Sequence, residues 1–185
     1  MGLDMYLTKR AYVKNWDHQK PEKKHQITVK LGGKKRSDID ASKISYLILD
    51  VMYWRKANQI HDWFVNNCQN GEDNCQASYV EKEKLRELLN ICKKIVDESI
   101  MKPDVLTVGT RHSNGITEPI KENGFVISNP EIAQSLLPTS QGFFFGSTEY
   151  DHYYIDDLKE TIKALEAENL DSVDNAFEYE YCASW

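Results

Sequence analysis

Two short segments combine aromatic rings with charged and amide side chains, and their residues are the ones best suited to chemistry. Residues 53–64 read YWRKANQIHDWF, and residues 143–154 read FFFGSTEYDHYY. Together they contain ten of the twenty Phe, Tyr and Trp residues. Rings beside donors and carboxylates are typical of a ligand pocket, and equally of the edge of a core. We expect the two segments to fold against each other and enclose a concave site.

In the first segment, Trp54, Asn58 and His61 follow one another at spacings of four and three, which places them on one side of a helix. A flat base could stack on Trp54 while Asn58 supplies hydrogen bonds. Arg55 and Lys56 would then contact phosphates. The alternative is that Trp54 and His61 are half-buried residues of an ordinary core.

The second segment predicts either an anion site or a helix cap. Backbone N–H groups near Ser147 and Thr148, at the start of a helix, can hold a phosphate. Glu149 and Asp151 argue against an anion because their carboxylates can satisfy the same donors; Ser147 or Thr148 would then cap the helix. If a nucleotide binds, Tyr150 would stack on its base. The candidate ligand-binding residues are Trp54, Arg55, Asn58, His61, Ser147, Thr148 and Tyr150.

No motif of a known reaction is present. The chain lacks G-x-S-x-G, a Walker loop, G-x-G-x-x-G and H-E-x-x-H. If the protein is an enzyme, a hydrolase acting on a nucleotide or phosphoester is the expected class. Its candidate acids, bases or metal ligands are His61, Glu149, Asp151 and Asp4, and they must converge in one cleft. Neighbouring residues of one helix cannot all reach a single metal ion, so we expect neither a metal nor a cofactor.

Length and charge define the class of protein. A chain of 185 residues predicts a single domain over residues 1–185. A formal charge of −6 disfavours nonspecific nucleic-acid binding, which needs a basic face. No apolar stretch is long enough to cross a membrane. We therefore expect a cytoplasmic protein without a membrane partner.

Hydrophobic periodicity predicts the elements that position the two segments. Alternating apolar residues indicate strands at 3–13, 26–31 and 177–185. Helical spacing indicates helices over 43–68, 81–100 and 150–168, with a short extended piece near 46–48 as an alternative start to the first. Residues 101–128 predict a hairpin-bearing insertion with turns at 113–115 and 123–124, and residues 143–145 a buried strand. The fold class is α+β: a single mixed or antiparallel sheet that includes both terminal strands, with about three main helices packed on it.

The segments MGLDMYL, YWRKANQIHDWF and GFFFGSTEYDHYY, with the terminal Trp185, together resemble a family of uncharacterised proteins encoded by tailed bacteriophages and prophages. The resemblance covers most of the chain and is weakest at 101–128. It implies a small accessory protein made in the cytoplasm of an infected bacterium. It brings no known activity and no catalytic residue, and proteins of this kind often bind a host factor.

Three hypotheses follow from these observations. The leading one is a non-enzymatic binding protein that captures a host protein or a small, nucleotide-like ligand through the aromatic and polar pocket. The second is the hydrolase described above, with or without a metal. The third is a structural homo-oligomer that binds no small ligand, such as a homodimer formed by an aromatic edge strand at residues 177–185.

Overall fold

The computed structural model describes residues 2–113, 115–172 and 177–185. The strands are β1 (Asp4–Tyr12), β2 (Lys30–Leu31), β3 (Lys34–Lys35), β4 (Tyr46–Arg55), β5 (Ser78–Val80), β6 (Met101–Ser113), β7 (Ile116–Ile127) and β8 (Glu178–Ser184). The α-helices are α1 (Asn58–Cys68), α2 (Lys82–Glu98), α3 (Glu131–Leu136) and α4 (His152–Ala167).

The main sheet has four strands in the order β4-β1-β8-β5, and all its neighbours are antiparallel. The first and last strands of the chain therefore lie side by side, with Asp4 opposite Ser184. The α+β class and the sheet that includes both terminal strands are confirmed.

One face of this sheet forms the core. Met5 and Leu7 of β1, and Leu3 just before it, are fully buried, as the period of two predicts. In β8, the Tyr181 ring stacks on Phe64 of α1, with 3.9 Å between ring centroids. Helix α4 joins the same face through Thr161, and α2 packs against α4. The opposite face is open, and its tyrosines Tyr6 and Tyr53 are about half exposed.

Residues 43–68 do not form one long helix. Residues Tyr46–Arg55 form the ten-residue strand β4, and α1 begins only at Asn58. The alternative, a short extended piece near 46–48, was therefore correct in predicting a strand, but the strand is longer than predicted. The run YLILDVMYW is rich in β-branched and aromatic residues, and pairing with β1 along its whole length stabilises the extended form.

Two further predictions of local structure were wrong. Residues 143–145 form a loop rather than a buried strand, and Phe143 is 95% exposed. The predicted strand at 26–31 is reduced to Lys30–Leu31, which pairs with Lys34–Lys35.

The segment 101–128 is a long two-stranded hairpin separate from the main sheet. Asn123 and Gly124 lie inside β7, opposite Val105 and Asp104, so the predicted turn at 123–124 is absent. Of the predicted turn at 113–115, Asn114 lies outside the described residues. The base of the hairpin is held to the body by the Ile127 N–H, which donates to the Tyr150 carbonyl at 2.8 Å. None of the described helices has the length and apolar character needed to cross a membrane.

Candidate functional site

The two aromatic and polar segments lie against each other, and Asn58 joins them. This first residue of α1 is 1% exposed. Its Nδ2 donates to the Phe145 carbonyl at 3.0 Å and to the Ser147 carbonyl at 2.8 Å, while its Oδ1 accepts from the Ser140 N–H at 2.8 Å. Every polar atom of the side chain is therefore used to position residues 140–147. Asn58 shapes the site from within and has no free group for a ligand.

A tight turn between β4 and α1 brings the cationic residues to the same place. Lys56 has φ of 63°, in the left-handed region that non-glycine residues rarely adopt. Its N–H donates to the Leu3 carbonyl at 2.8 Å, and its carbonyl accepts from the Asn58 N–H at 2.9 Å. Gly146, with φ of 92°, lies so close that an added Cβ would be 2.9 Å from the Lys56 Cβ. The contact between Lys56 and Gly146, both with positive φ, forms part of the wall of the cleft.

A cleft of about 360 Å³ opens where the segments meet. Its walls come from residues 55–59, 139–149 and 151–160, the last of which includes the start of α4. The cations on its wall are Arg55 and Lys56. The carboxylates are Glu149, Asp151, Asp156, Asp157 and Glu160. Larger hollows, of about 670 and 700 Å³, lie beside residues 165–172, but neither touches either segment.

Burial raises the pKa of the Asp157 carboxyl to about 6. The Gln59 amide, which donates to Asp157 at 3.0 Å, favours the ionised form, but this effect is smaller than the cost of burial. The carboxylates of Glu160, Asp151 and Asp156 raise the pKa further. The Asp157 carboxyl therefore changes charge close to neutral pH.

Asp151 is the N-cap of α4. Its carboxylate accepts from the N–H groups of Tyr153 at 2.9 Å and Tyr154 at 3.1 Å. The predicted caps, Ser147 and Thr148, lie upstream of the helix start. The Ser147 hydroxyl accepts from the Glu149 N–H at 3.1 Å instead, and the Thr148 carbonyl accepts from the Thr139 hydroxyl. Because Asp151 occupies the first free donors of α4, the helix start holds a carboxylate where the sequence also allowed a phosphate.

Neither ring proposed to stack on a base is placed to do so. Trp54 is 3% exposed, and its indole N–H donates to the Thr161 hydroxyl at 2.8 Å. Tyr150 is half-buried against Tyr154, and its hydroxyl accepts from the Thr139 N–H. Both rings are packed within the molecule, so the core interpretation of Trp54 is the one that the geometry supports.

His61 is 1% exposed and belongs to a hydrogen-bonded network. Its Nδ1 lies 2.8 Å from the Tyr181 hydroxyl, and its Nε2 lies 3.0 Å from the Asp73 carboxylate. Asp73 in turn accepts from the Trp185 indole N–H at 3.1 Å. Burial raises the pKa of Tyr181, whose side chain is fully enclosed. These hydrogen bonds connect Trp185 and the 69–76 loop to α1. The enclosed Tyr181 is out of reach of any substrate.

The four candidate catalytic residues do not converge. Asp4 accepts a hydrogen bond from the Tyr53 hydroxyl on the open face of the sheet. His61 contacts Tyr181 and Asp73 and does not line the cleft. Only Glu149 and Asp151 line the cleft. Within the described ranges, no group of three or more His, Cys, Asp or Glu residues has the arrangement to hold a metal ion.

Sequence reasoning missed part of the acidic wall. Gln59, Asp156, Asp157 and Glu160 were not selected, although Asp156 and Glu160 are four residues apart on one helix face. The acidic run at the start of α4 was a sequence signal for this wall, but such a run is equally typical of a solvated helix face.

A scan against protein-family models and searches of curated proteins and of solved structures found no match to this chain.

Proposed function

We propose that this protein is a non-enzymatic binding protein whose cleft takes a positively charged group, either on a small ligand or on a side chain of a host protein. The observation that supports the proposal most is the composition of the cleft. Its five carboxylates outnumber its two cations, and they line a concavity enclosed by the two segments. The separation of the candidate catalytic residues favours binding over hydrolysis.

Charge favours a cation over a nucleotide. A unit charge 4 Å from a carboxylate near a protein surface interacts by about 4 kcal/mol before desolvation. A phosphate at the centre of the cleft would be repelled by Asp156, Asp157 and Glu160, while an ammonium or guanidinium group would be attracted. Arg55 and Lys56, which also line the cleft, suit an anionic second group. The nucleotide-like ligand expected from the sequence therefore fits less well than a cationic one.

The host protein remains a proposal drawn from the resemblance to phage accessory proteins. A lysine or arginine side chain of a partner would meet the same requirement as a free amine. A partner contact would also use the exposed rim of the cleft, where Lys56, Glu149 and Tyr153 are exposed.

The proposal is tested by comparing the binding of two probes. Agmatine, which carries an amine and a guanidinium group, is the cationic probe, and AMP is the anionic one. We expect calorimetry to show agmatine binding, and the double variant Asp157→Asn, Glu160→Gln to weaken it by about fivefold or more. Glu131→Gln, an exposed carboxylate on α3, is the matched control and should leave the affinity unchanged.

Tighter binding of AMP than of agmatine, or equal agmatine binding by the double variant, would contradict the proposal. Native mass spectrometry of protein purified from a bacterial lysate extends the test to natural occupants. A ligand or protein retained by the wild type should be lost from the same double variant and kept by Glu131→Gln.

A further inference from the structure

Among the residues that the structure describes, no strand pairs with the outer edge of β4, and the exposed part of this edge is apolar. In the strand order β4-β1-β8-β5, β4 is one of the two edges of the main sheet. Its first residues are exposed on both faces: Tyr46 by 46%, Leu47 by 41%, Ile48 by 67% and Leu49 by 43%. Consecutive exposed apolar residues on a strand are unusual in a chain with 28% charged residues.

This edge lacks the features that keep sheet edges from pairing. Natural edges are blunted by short strands, lysine, proline or inward-pointing charge. The other edge strand, β5, has only three residues. Strand β4 has ten, with no lysine or proline among them, and residues 46–49 carry no charge. The long edge is therefore the one that a further strand can extend.

The hydrogen bonds to β1 show which backbone groups of β4 are free. The Val13 N–H donates to the Ser45 carbonyl at 2.9 Å, and residue partners continue in that register to Leu49 opposite Lys9. Because antiparallel residues alternate between bonded and non-bonded pairs, Ser45, Leu47 and Leu49 point their N–H and C=O groups at β1. The residues whose backbone groups point away from the sheet are Tyr46, Ile48 and Asp50.

We propose that β4 pairs with β4 of a second copy of this chain, antiparallel and about a two-fold axis at Ile48. In this register Ile48 faces Ile48 of the second copy, and Tyr46 faces its Asp50. Each outward N–H or C=O group of these residues then lies opposite a complementary outward group of the second copy, so the free groups of the two strands pair in register. The two sheets would join into one of eight strands. This dimer does not depend on the cleft or its ligand.

Side chains in this register are complementary on both faces. On the core side, Leu47 of one copy lies opposite Leu49 of the other, and on the open side the two Ile48 side chains face each other, so both contacts bury apolar surface from water. On the open side, Asp50 lies opposite Tyr46, whose ring lies under the Arg10 guanidinium at 5.4 Å. The carboxylate of each copy is thus brought towards a cation of the other. No like charges are placed opposite each other.

Sedimentation of the full chain over a wide range of concentrations tests the dimer. We expect the wild type to be dimeric and Ile48→Lys to be monomeric. Leu31→Lys is the matched control, because Leu31 is also 67% exposed and lies on the separate β2–β3 hairpin; it should remain dimeric. A monomeric wild type, or a dimer that persists in Ile48→Lys, would overturn the proposal and leave the edge to a different partner.

The variant Ile48→Pro tests the backbone contact between the two strands independently of the side-chain contact. The Ile48 N–H takes no part in the pairing with β1, so Ile48→Pro removes only an outward donor and should fold with a circular dichroism spectrum like that of the wild type. We expect it to be monomeric. Folded Ile48→Pro protein that is still dimeric would show that β4 strands do not pair.

Cross-linking tests the register. Paired residues on the axis have Cα atoms about 5.5 Å apart, within disulfide range. In a Cys75→Ser background, which removes an exposed native thiol, Ile48→Cys should form an intermolecular disulfide under mild oxidation. Tyr46→Cys, which lies opposite Asp50 rather than itself, should cross-link poorly. The reverse order of efficiency would exclude a two-fold axis at Ile48.

Discussion

Asp157 is the residue at which the cleft and the stability of the fold are linked. Its carboxyl pKa rises from 3.8 to about 6 on folding, mainly because of burial. The folded chain therefore binds a proton at this site more tightly than the unfolded chain does. Between about pH 4 and pH 6 the folded state holds more protons, so this group's contribution to stability falls as the pH rises through that window.

Replacing Asp157 with asparagine should remove this pH-dependent cost. Asparagine keeps an oxygen that accepts from the Gln59 amide but cannot ionise. We expect Asp157→Asn to raise the free energy of unfolding by about 1–2 kcal/mol above pH 7 and to change it little below about pH 4. Urea unfolding of both proteins at the two pH values measures this difference. A stabilisation that is the same at both pH values would contradict a raised pKa as its cause.

The sequence indicated the two segments that build the site but not which of their side chains line it. Trp54 and His61 fall on one side of a helical pattern, yet Trp54 is in β4 and points to the core because it lies opposite Met5. Asn58 was expected to bond a ligand, and its three hydrogen bonds go to backbone groups of residues 140–147. Those partners lie more than eighty residues away along the chain, so local spacing carried no sign of them.

At the scale of elements, the contact of the β4–α1 turn with the loop at Gly146 shapes the cleft. Both backbones have positive φ, and their close approach requires a residue without a side chain at 146. Lys56 remains in this conformation because hydrogen bonds to Leu3 and Asn58 hold it there. A substitution at 146 should therefore cost more than the backbone conformation alone explains.

Comparison of Gly146→Ala with Gly33→Ala separates these two costs. Gly33 has φ of 80° and no atom within 4 Å of an added Cβ, so its substitution should cost about 1 kcal/mol from backbone strain. At Gly146, the contact with the Lys56 backbone should add about 1–3 kcal/mol. Urea unfolding of both variants measures the difference, and agmatine binding should weaken only in Gly146→Ala. Equal losses of stability would mean that the loop can move away from Lys56.

Sequence patterns predicted most helices and strands correctly, but the predictions were wrong for segments whose exposure is unusual. Helix α4 was expected over 150–168 and spans His152–Ala167, because its apolar face is regular and buried. Strand β4 is apolar on both faces, so its residues also fit a helical stripe, and only its pairing with β1 decides between the two. The Phe143–Phe145 run suggested a buried strand, yet the backbone there turns through Gly146 and leaves Phe143 in solvent.

In the molecule as a whole, the C-terminal strand β8 lies inside the main sheet rather than at its edge. Strand β8 lies between β1 and β5, and β5 pairs with its residues Tyr179–Tyr181. The homodimer hypothesis at 177–185 assumed an edge strand, whereas β8 is an inner strand of the sheet. Alternation along the tail predicted the strand correctly, but no local pattern reports the order of strands in a sheet. The free edge belongs to β4, in the segment read as helical.

The β6–β7 hairpin is attached to this body mainly at its base. Ile127 is 5% exposed and belongs to the core, and Val126 is bridged to Asp151 at the start of α4. Beyond Leu106, the described residues of the hairpin up to Lys121 are exposed, apart from the half-buried Gly109. Thr107 and Lys121 are opposite each other in the ladder, so a shorter hairpin can be closed at that pair.

Removing the outer hairpin should therefore leave the fold intact. Replacing residues 108–120 with Asn-Gly, which closes a two-residue hairpin, should change the free energy of unfolding by less than about 1 kcal/mol. Ile127→Ala, at the base, should cost about 2–4 kcal/mol because it leaves a cavity in the core. Urea unfolding at one fixed protein concentration measures both. A truncated chain that unfolds without a cooperative transition would show that the outer hairpin is part of the folded core.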